Sequence, residues 1–240
     1  MKIIKFYISI LLLTLSSTTS WSETLTMDDL VENPSDGLVY KKFTTTPFSG
    51  SILPTLENPS KGSYKDGRRH GLWETFHQNG LLWSKINYKE GKLHGLYEYF
   101  YDNGRLESKT NYKEGKLQGL YEYFYDNGQL QYKVNYKDGK REGLFIYFYY
   151  NGQLWEKKNY KDGKEDGLFE SFYDNGQLLR KGNYKDGKED GLWEVFHNNG
   201  QLKIKGNLKD GIPEDGLREY FNEDGSLRRT ENYKEGELVE

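Results

Sequence analysis

The chain has no cysteine, which excludes disulfides, thiolate metal sites, thiol nucleophiles and attachment of lipid through a thiol. It is also short of ordinary core residues. Only 35% of its 240 residues are hydrophobic and two are Met, below the globular norm, so a deep aliphatic core is not expected. Proline is scarce at five residues. A basic excess is missing too: the formal net charge is −3, and no cationic stripe suited to a phosphate backbone is present, which argues against nucleic acid as a partner. Nor does the charge pattern point to a membrane surface. There is no Gly-x-Ser-x-Gly elbow and no phosphate-cradling glycine loop ahead of a helix. The four histidines, His70, His77, His94 and His197, are too scattered for a metal cluster. The acidic loops at Lys161–Gly167 and Lys185–Gly191 fail the calcium pattern. Counting from Asp162, Lys164 falls at the third place and Tyr173 where a bidentate Glu belongs. No enzyme, cofactor or metal is expected.

What the chain has in abundance is glycine, 27 residues, and aromatics, 16%, of which 21 are Tyr. That mixture suits strands and tight turns. Residues 1–22 stand apart. Lys2 and Lys5 precede an apolar run from Phe6 to Leu15, and Ser20-Trp21-Ser22 closes it, the pattern of a secretory signal peptide. Cleavage near Ser22 is expected, giving an exported protein of the periplasm, cell envelope or medium. Two lysines and no acids go with it, so 32 bases face 37 acids.

The remainder repeats itself. Gly80, Gly104, Gly128, Gly152, Gly176 and Gly200 recur every 24 residues, and Gly225 follows after one inserted position, making seven copies. A fixed period of this kind means stacked supersecondary units, each too small to fold alone. Each unit carries two turn signals, an Asn-Gly such as Asn103-Gly104 and an Asp-Gly or Glu-Gly such as Glu114-Gly115. Both dipeptides suit type I′ hairpin turns. The expected fold is all-β: a single-layer antiparallel meander of about seven hairpin repeats over residues 61–240, curved or twisted into a ribbon.

Counting outward from Asn103-Gly104 sets Tyr101 opposite Leu106, Tyr99 opposite Ser108 and Glu98 opposite Lys109. The same arithmetic opposes Glu and Lys in five repeats, and Ile146 and Glu219 interrupt the series. By alternation, Tyr97, Tyr99, Tyr101, Leu106 and Tyr112 share one face, while Trp83 and Trp155 fall on the charged face. The aromatic side is the means of burial in a sheet that has no second layer. Its strand glycines, Gly119 for example, are expected to leave room for a covering ring from Tyr112. The partner-binding candidates are Trp73, Tyr97, Tyr99, Tyr121, Tyr123, Phe145, Tyr147, Phe169 and Trp193, rings that stack on sugars or peptides unless packing on one another occupies them.

Residues 23–60 do not fit the repeat. Thr26 followed by Asp28 and Asp29 predicts a short helix over 26–32, Leu38–Lys42 a first strand, and the whole segment a cap over one sheet edge.

The unit "GLYEYFYDNGQLQYKVNYKDGK" resembles the MORN-repeat family, in the bacterial variant often labelled an antitoxin component of toxin–antitoxin systems. The likeness spans Leu38–Glu240 and rests on the Gly-Leu-aromatic strand start and the Asn-Gly-Gln-Leu turn recurring in order. The resemblance implies a β-hairpin array that serves as a scaffold, self-associates or contacts membranes, with no catalytic residues. The expected role is therefore an exported interaction module for a protein partner or a second copy. Binding to cell-wall or other glycans, and neutralisation of a toxin, are the alternatives.

Overall fold

The structure, a computed structural model, describes residues 23–239. The signal-peptide reading lies outside them. Nearly everything described is strand, in one long meander of hairpins that is not closed. From Ser60 onward each strand pairs antiparallel with its sequence neighbours, and the full-length strands run 8 or 9 residues, as in Lys92–Phe100, Leu106–Lys113 and Lys116–Phe124. At the N-terminal edge Gly50–Leu53 pairs with Ser60–Lys65, and Glu23–Thr26 lies parallel against Gly50–Leu53. A separate hairpin joins Leu30–Asn33 to Leu38–Lys41.

The expected helix over 26–32 is one 3-10 turn, Met27–Asp29. Its start signal is genuine, since the Asp29 carboxylate accepts hydrogen bonds from the Thr26 backbone N–H (3.0 Å) and hydroxyl (2.8 Å). The turn stops because Leu30 is buried in extended backbone, in a cluster with Phe48, Ile52, Tyr64 and Trp73.

The two turn signals behave differently. At Glu114-Gly115 both residues have positive φ, 52° and 83°, as a type I′ turn requires. At Asn103-Gly104 only Gly104 does, at 81°. Gly104 N–H bonds Tyr101 C=O (2.9 Å) and Tyr101 N–H bonds Arg105 C=O (2.8 Å). This is a type I turn with glycine at its left-handed end, one residue longer than a type I′ loop. Leu106 accordingly pairs with Phe100, not with Tyr101. A bulge then inserts Glu107 and restores Tyr99 opposite Ser108 and Glu98 opposite Lys109.

Asparagine precedes that glycine for a different reason. Asn103 Oδ1 accepts the Arg105 N–H (2.9 Å) and Nδ2 donates to the Asp126 carbonyl of the next repeat (3.1 Å). Asn79, Asn127, Asn175 and Asn199 also donate to the following turn. Beside them, the hydroxyls of Tyr101, Tyr125, Tyr149 and Tyr173 donate to the carbonyls of Phe124, Phe148, Phe172 and Phe196 at 2.6–2.8 Å. His77 and His197 replace this tyrosine and bring Nε2 to the equivalent carbonyls of Phe100 and Phe221 (2.9 and 3.0 Å). On the opposite rim, turn glycines bond back one repeat, as in Gly115 N–H to Leu93 C=O (2.8 Å). Both rims are thus hydrogen-bonded columns, which is how small units gain cooperativity from their neighbours.

The charged residues form a ladder across the strands. Lys61, Glu74, Lys85, Glu98, Lys109 and Glu122 are successive register partners. The expected register is present, but the closed contacts fall at the junctions between hairpins: Lys61 to Glu74 (2.8 Å), Lys109 to Glu122 (2.9 Å), Lys157 to Glu170, and Lys181 to Glu194 (2.6 Å). Ile146, opposite both Lys133 and Lys157, interrupts the series.

Candidate functional site

The aromatic face is built from alternate residues of each strand, and its packing is one of matched volumes. Where a ring is largest, the neighbouring strand supplies glycine. A Cβ at Gly62 would lie 2.4 Å from the Trp73 ring, and one at Gly182 would lie 2.2 Å from the Trp193 ring. Where the ring is smaller, a residue of middling size stands in the same place, Val134 beside Phe145. Gly119 is different in kind. A Cβ there meets nothing within 4 Å, and its φ is +80°. Glycine is present for the backbone conformation, not to admit the Tyr112 ring.

The nine predicted contact rings divide into two groups. Trp73, Phe145, Phe169 and Trp193 are buried, at 3–8% exposure. Trp73 belongs to the cluster under the N-terminal cap, Phe145 joins Val134 and Tyr160, and Phe169, Trp193 and Leu208 form a third cluster. Tyr97, Tyr99, Tyr121, Tyr123 and Tyr147 are half-buried and reach each other's neighbourhood through rings and hydroxyls. Tyr97 donates to the Tyr99 hydroxyl (3.0 Å), Tyr123 donates to Glu107 (2.9 Å), and Tyr147 accepts from Gln131 (2.7 Å). Tyr121 and Tyr123 both stack near-parallel on Tyr132, at 5.7 and 5.4 Å between centroids.

Burial pushes the Tyr97, Tyr123 and Tyr132 hydroxyls well above the usual phenol range, and the bonds to Tyr99 and Glu107 add to the first two. Tyr184 is pushed up to about 12, by burial first and then by the Glu189 carboxylate. Burial opposes the Lys158 ammonium, but hydrogen bonds to Glu156 (2.9 Å) and Glu165 (2.7 Å) outweigh it and hold the amine protonated. These perturbations describe a packed lattice of neutral phenols and compensated ions, repeated along the sheet.

The bulge moves two residues that alternation placed on the charged face. Trp83 packs on Tyr99 (5.3 Å) and Trp155 on Tyr147 (4.6 Å) and Tyr149 (5.7 Å), so both indoles lie on the aromatic face. They keep 41% and 39% of their surface exposed, far more than the four buried rings. The bulge also carries Leu106 off that face, paired with Phe100. The signal that locates Trp83 is the length of the turn: one residue more than type I′ demands an extra residue on the returning strand to keep Glu opposite Lys.

No group of His, Asp and Glu able to hold a metal occurs among the described residues. No curated protein matches the chain. Among solved structures, two of S. aureus TarM, one of a mutant form with fondaparinux, α-GlcNAc-glycerol and UDP, are similar at 16% identity over 40% of this chain and 19% of that one, with a TM-score of 0.27. The model of the MORN repeat variant, a non-catalytic repeat family, matches seven consecutive stretches, 69–90, 93–114, 117–138, 141–162, 165–186, 189–210 and 214–235. With more than half its length so matched, the chain belongs to the MORN-repeat variant family.

Proposed function

We propose that this is an exported, non-catalytic interaction module that holds a protein partner, or a second copy of itself, against the aromatic face of its sheet. The observation that supports it is the pair of half-open indoles, Trp83 and Trp155, three repeats apart on a face whose other large rings are occupied by packing. Each indole offers a broad, rigid ring surface of the kind that anchors protein interfaces. The contact set then comprises Trp83 and Trp155 with the half-buried Tyr97, Tyr99, Tyr121, Tyr123 and Tyr147. Trp73, Phe145, Phe169 and Trp193 hold the scaffold beneath them.

The same exposed indoles support a second reading, stacking against the apolar face of a sugar. Trp83→Ala with Trp155→Ala removes exposed ring surface and leaves the buried clusters intact. Partner binding is supported if the parent chain retains a discrete protein from cell-envelope extract and the double variant loses it while keeping its circular dichroism. Retention on a glycan array, lost in the same variant, moves the assignment to sugars. Equal retention by parent and variant in both assays removes the aromatic face as the binding surface. The toxin-neutralising alternative requires residues 1–22 to stay attached in the cytoplasm, and a mature N-terminus at Glu23 in an envelope fraction excludes it.

A further inference from the structure

Six repeats close one rim of the sheet with Asn-Gly, at Asn79, Asn103, Asn127, Asn151, Asn175 and Asn199. That dipeptide is chemically unstable. The glycine nitrogen, unshielded by any side chain on its own residue, attacks the asparagine Cγ, Nδ2 departs as ammonia, and a succinimide closes. Water then opens the ring to aspartate or isoaspartate, so the net change is amide plus water to carboxylate plus ammonium. No cofactor or oxidant is consumed.

The fold sets how readily each turn reacts. To reach the next nitrogen, the carboxamide must swing out of its native place and give up every hydrogen bond it makes there. All six Oδ1 atoms accept the N–H two residues on, Asn151 from Gln153 at 2.9 Å. Five of the six also donate from Nδ2 to a carbonyl of the following turn, at 2.7–3.3 Å. Asn151 makes no such donation among the described residues. Its turn is tied backwards instead, since Tyr150 packs on Tyr125 (5.1 Å) and donates to Asp126 (3.1 Å) of the preceding turn. Access to water does not separate the sites, because Asn79, Asn103, Asn151, Asn175 and Asn199 are all exposed.

The product of the reaction already exists in this chain. Asp224-Gly225 makes the seventh of these turns: Asp224 Oδ1 accepts the Ser226 N–H (2.9 Å), Gly225 N–H bonds Asn222 C=O (3.0 Å), and φ at Gly225 is 83° against 84° at Gly152. An aspartate at position 151 therefore keeps the turn and gives up no bond between repeats. At Asn103 the same change replaces the donor to the Asp126 carbonyl (3.1 Å) by a carboxylate, which sets two acceptors face to face.

We propose that Asn151 is a deamidation site of the folded protein, where the array gains a negative charge without loosening, while the carbonyls of following turns slow the other five asparagines. Incubating the folded protein in warm, mildly alkaline buffer and mapping its peptides by mass spectrometry gives the rate at each site, and enzymatic methylation identifies isoaspartate. Asn151 is expected to lead the other five by about fivefold or more, the factor that one typical hydrogen bond supplies. In urea all six are expected to react at comparable rates, since each then keeps its glycine and loses its turn. Two variants test the fold's part separately. Asn151→Asp is expected to unfold at the same urea concentration as the parent, and Asn103→Asp at a lower one. A lead by any other asparagine, equal rates in the folded protein, an intact Asn151 or the same lead in urea overturns the proposal, as does an Asn151→Asp variant less stable than Asn103→Asp.

Discussion

Gly182 and Trp193 offer a quantitative test of the packing on the aromatic face. A Cβ at residue 182 would stand 2.2, 2.4 and 2.6 Å from three atoms of the Trp193 ring. Ordinary carbon contacts are about 3.5–4.0 Å, so the ring must retreat by more than 1 Å. It has nowhere to go, with Phe169 at 5.5 Å, Tyr184 at 5.3 Å and the Arg180 guanidinium at 4.0 Å. Gly182→Val therefore belongs near the top of the overpacking range, about 3 kcal/mol. Trp193→Phe leaves a void where the second indole ring stood and costs about 2 kcal/mol. The pair together recreates Val134 beside Phe145, which is buried at 0% and 7% in the same sheet. The double variant is therefore expected to lose about 2 kcal/mol, against about 5 for the sum, a coupling at the upper end for contacting residues. Urea unfolding followed by far-ultraviolet circular dichroism measures all four corners of the cycle. Hydrogen exchange at Lys181–Asn183 reports the local opening expected when a repeat couples only to its neighbours. Costs that add within about 0.5 kcal/mol would mean that the glycine and the indole do not share one volume.

Three further outcomes follow from the same geometry. Tyr149→Phe removes the donor to the Phe172 carbonyl (2.8 Å) and is expected to cost about 1 kcal/mol, whereas Tyr149→His, copying His77 and His197, is expected to recover most of it in denaturant titration. Ile146→Glu completes the ladder between Lys133 and Lys157 and should acquire about 0.5 kcal/mol of stability that disappears in high salt; an equal salt response in Ile146→Gln would refute the ladder's contribution. Tyr184, whose hydroxyl is raised to about 12 from an ordinary 10.0, contributes stability that is complete below pH about 10, where the unfolded phenol begins to ionise, and is lost as pH climbs through the folded value. A phenolate titration at 295 nm is expected to lag for the buried tyrosines and finish together with unfolding. A single early wave with native dichroism would contradict their burial.

The hairpin array was legible because its causes are local. Glycine on a 24-residue period and turn dipeptides between aromatic runs define hairpins without help from tertiary contacts, and Glu114-Gly115 adopts the two positive φ values its letters suggest. Asn103-Gly104 was misread because its asparagine answers to a carbonyl 23 residues away, not to its own φ. The pairing of Glu98 with Lys109 came out right through two cancelling displacements, a turn one residue longer and a bulge of one residue. Between those two displacements the facing of every side chain is inverted relative to simple alternation. That is where Leu106 was misplaced, and where Trp83 and Trp155, read as part of the charged face, join the tyrosines.

The candidate site was legible in outline for the same reason and illegible in its exposed members. Ring content alone identifies a face able to bury itself, so Trp73, Phe145, Phe169 and Trp193 could be named, yet the features that make them candidates are the ones that consume them in packing. The open indoles, by contrast, sit where one copy differs from the next, at the bulge position that holds Trp83 and Trp155 but Glu107 and Gln131 in the repeats between them. In a repeat array the shared residues describe the scaffold, because each must satisfy the same neighbour in every copy. Function is carried by positions that differ between copies while the period continues around them. On that reasoning Trp83 and Trp155 outrank any tyrosine common to all repeats as sites for mutagenesis.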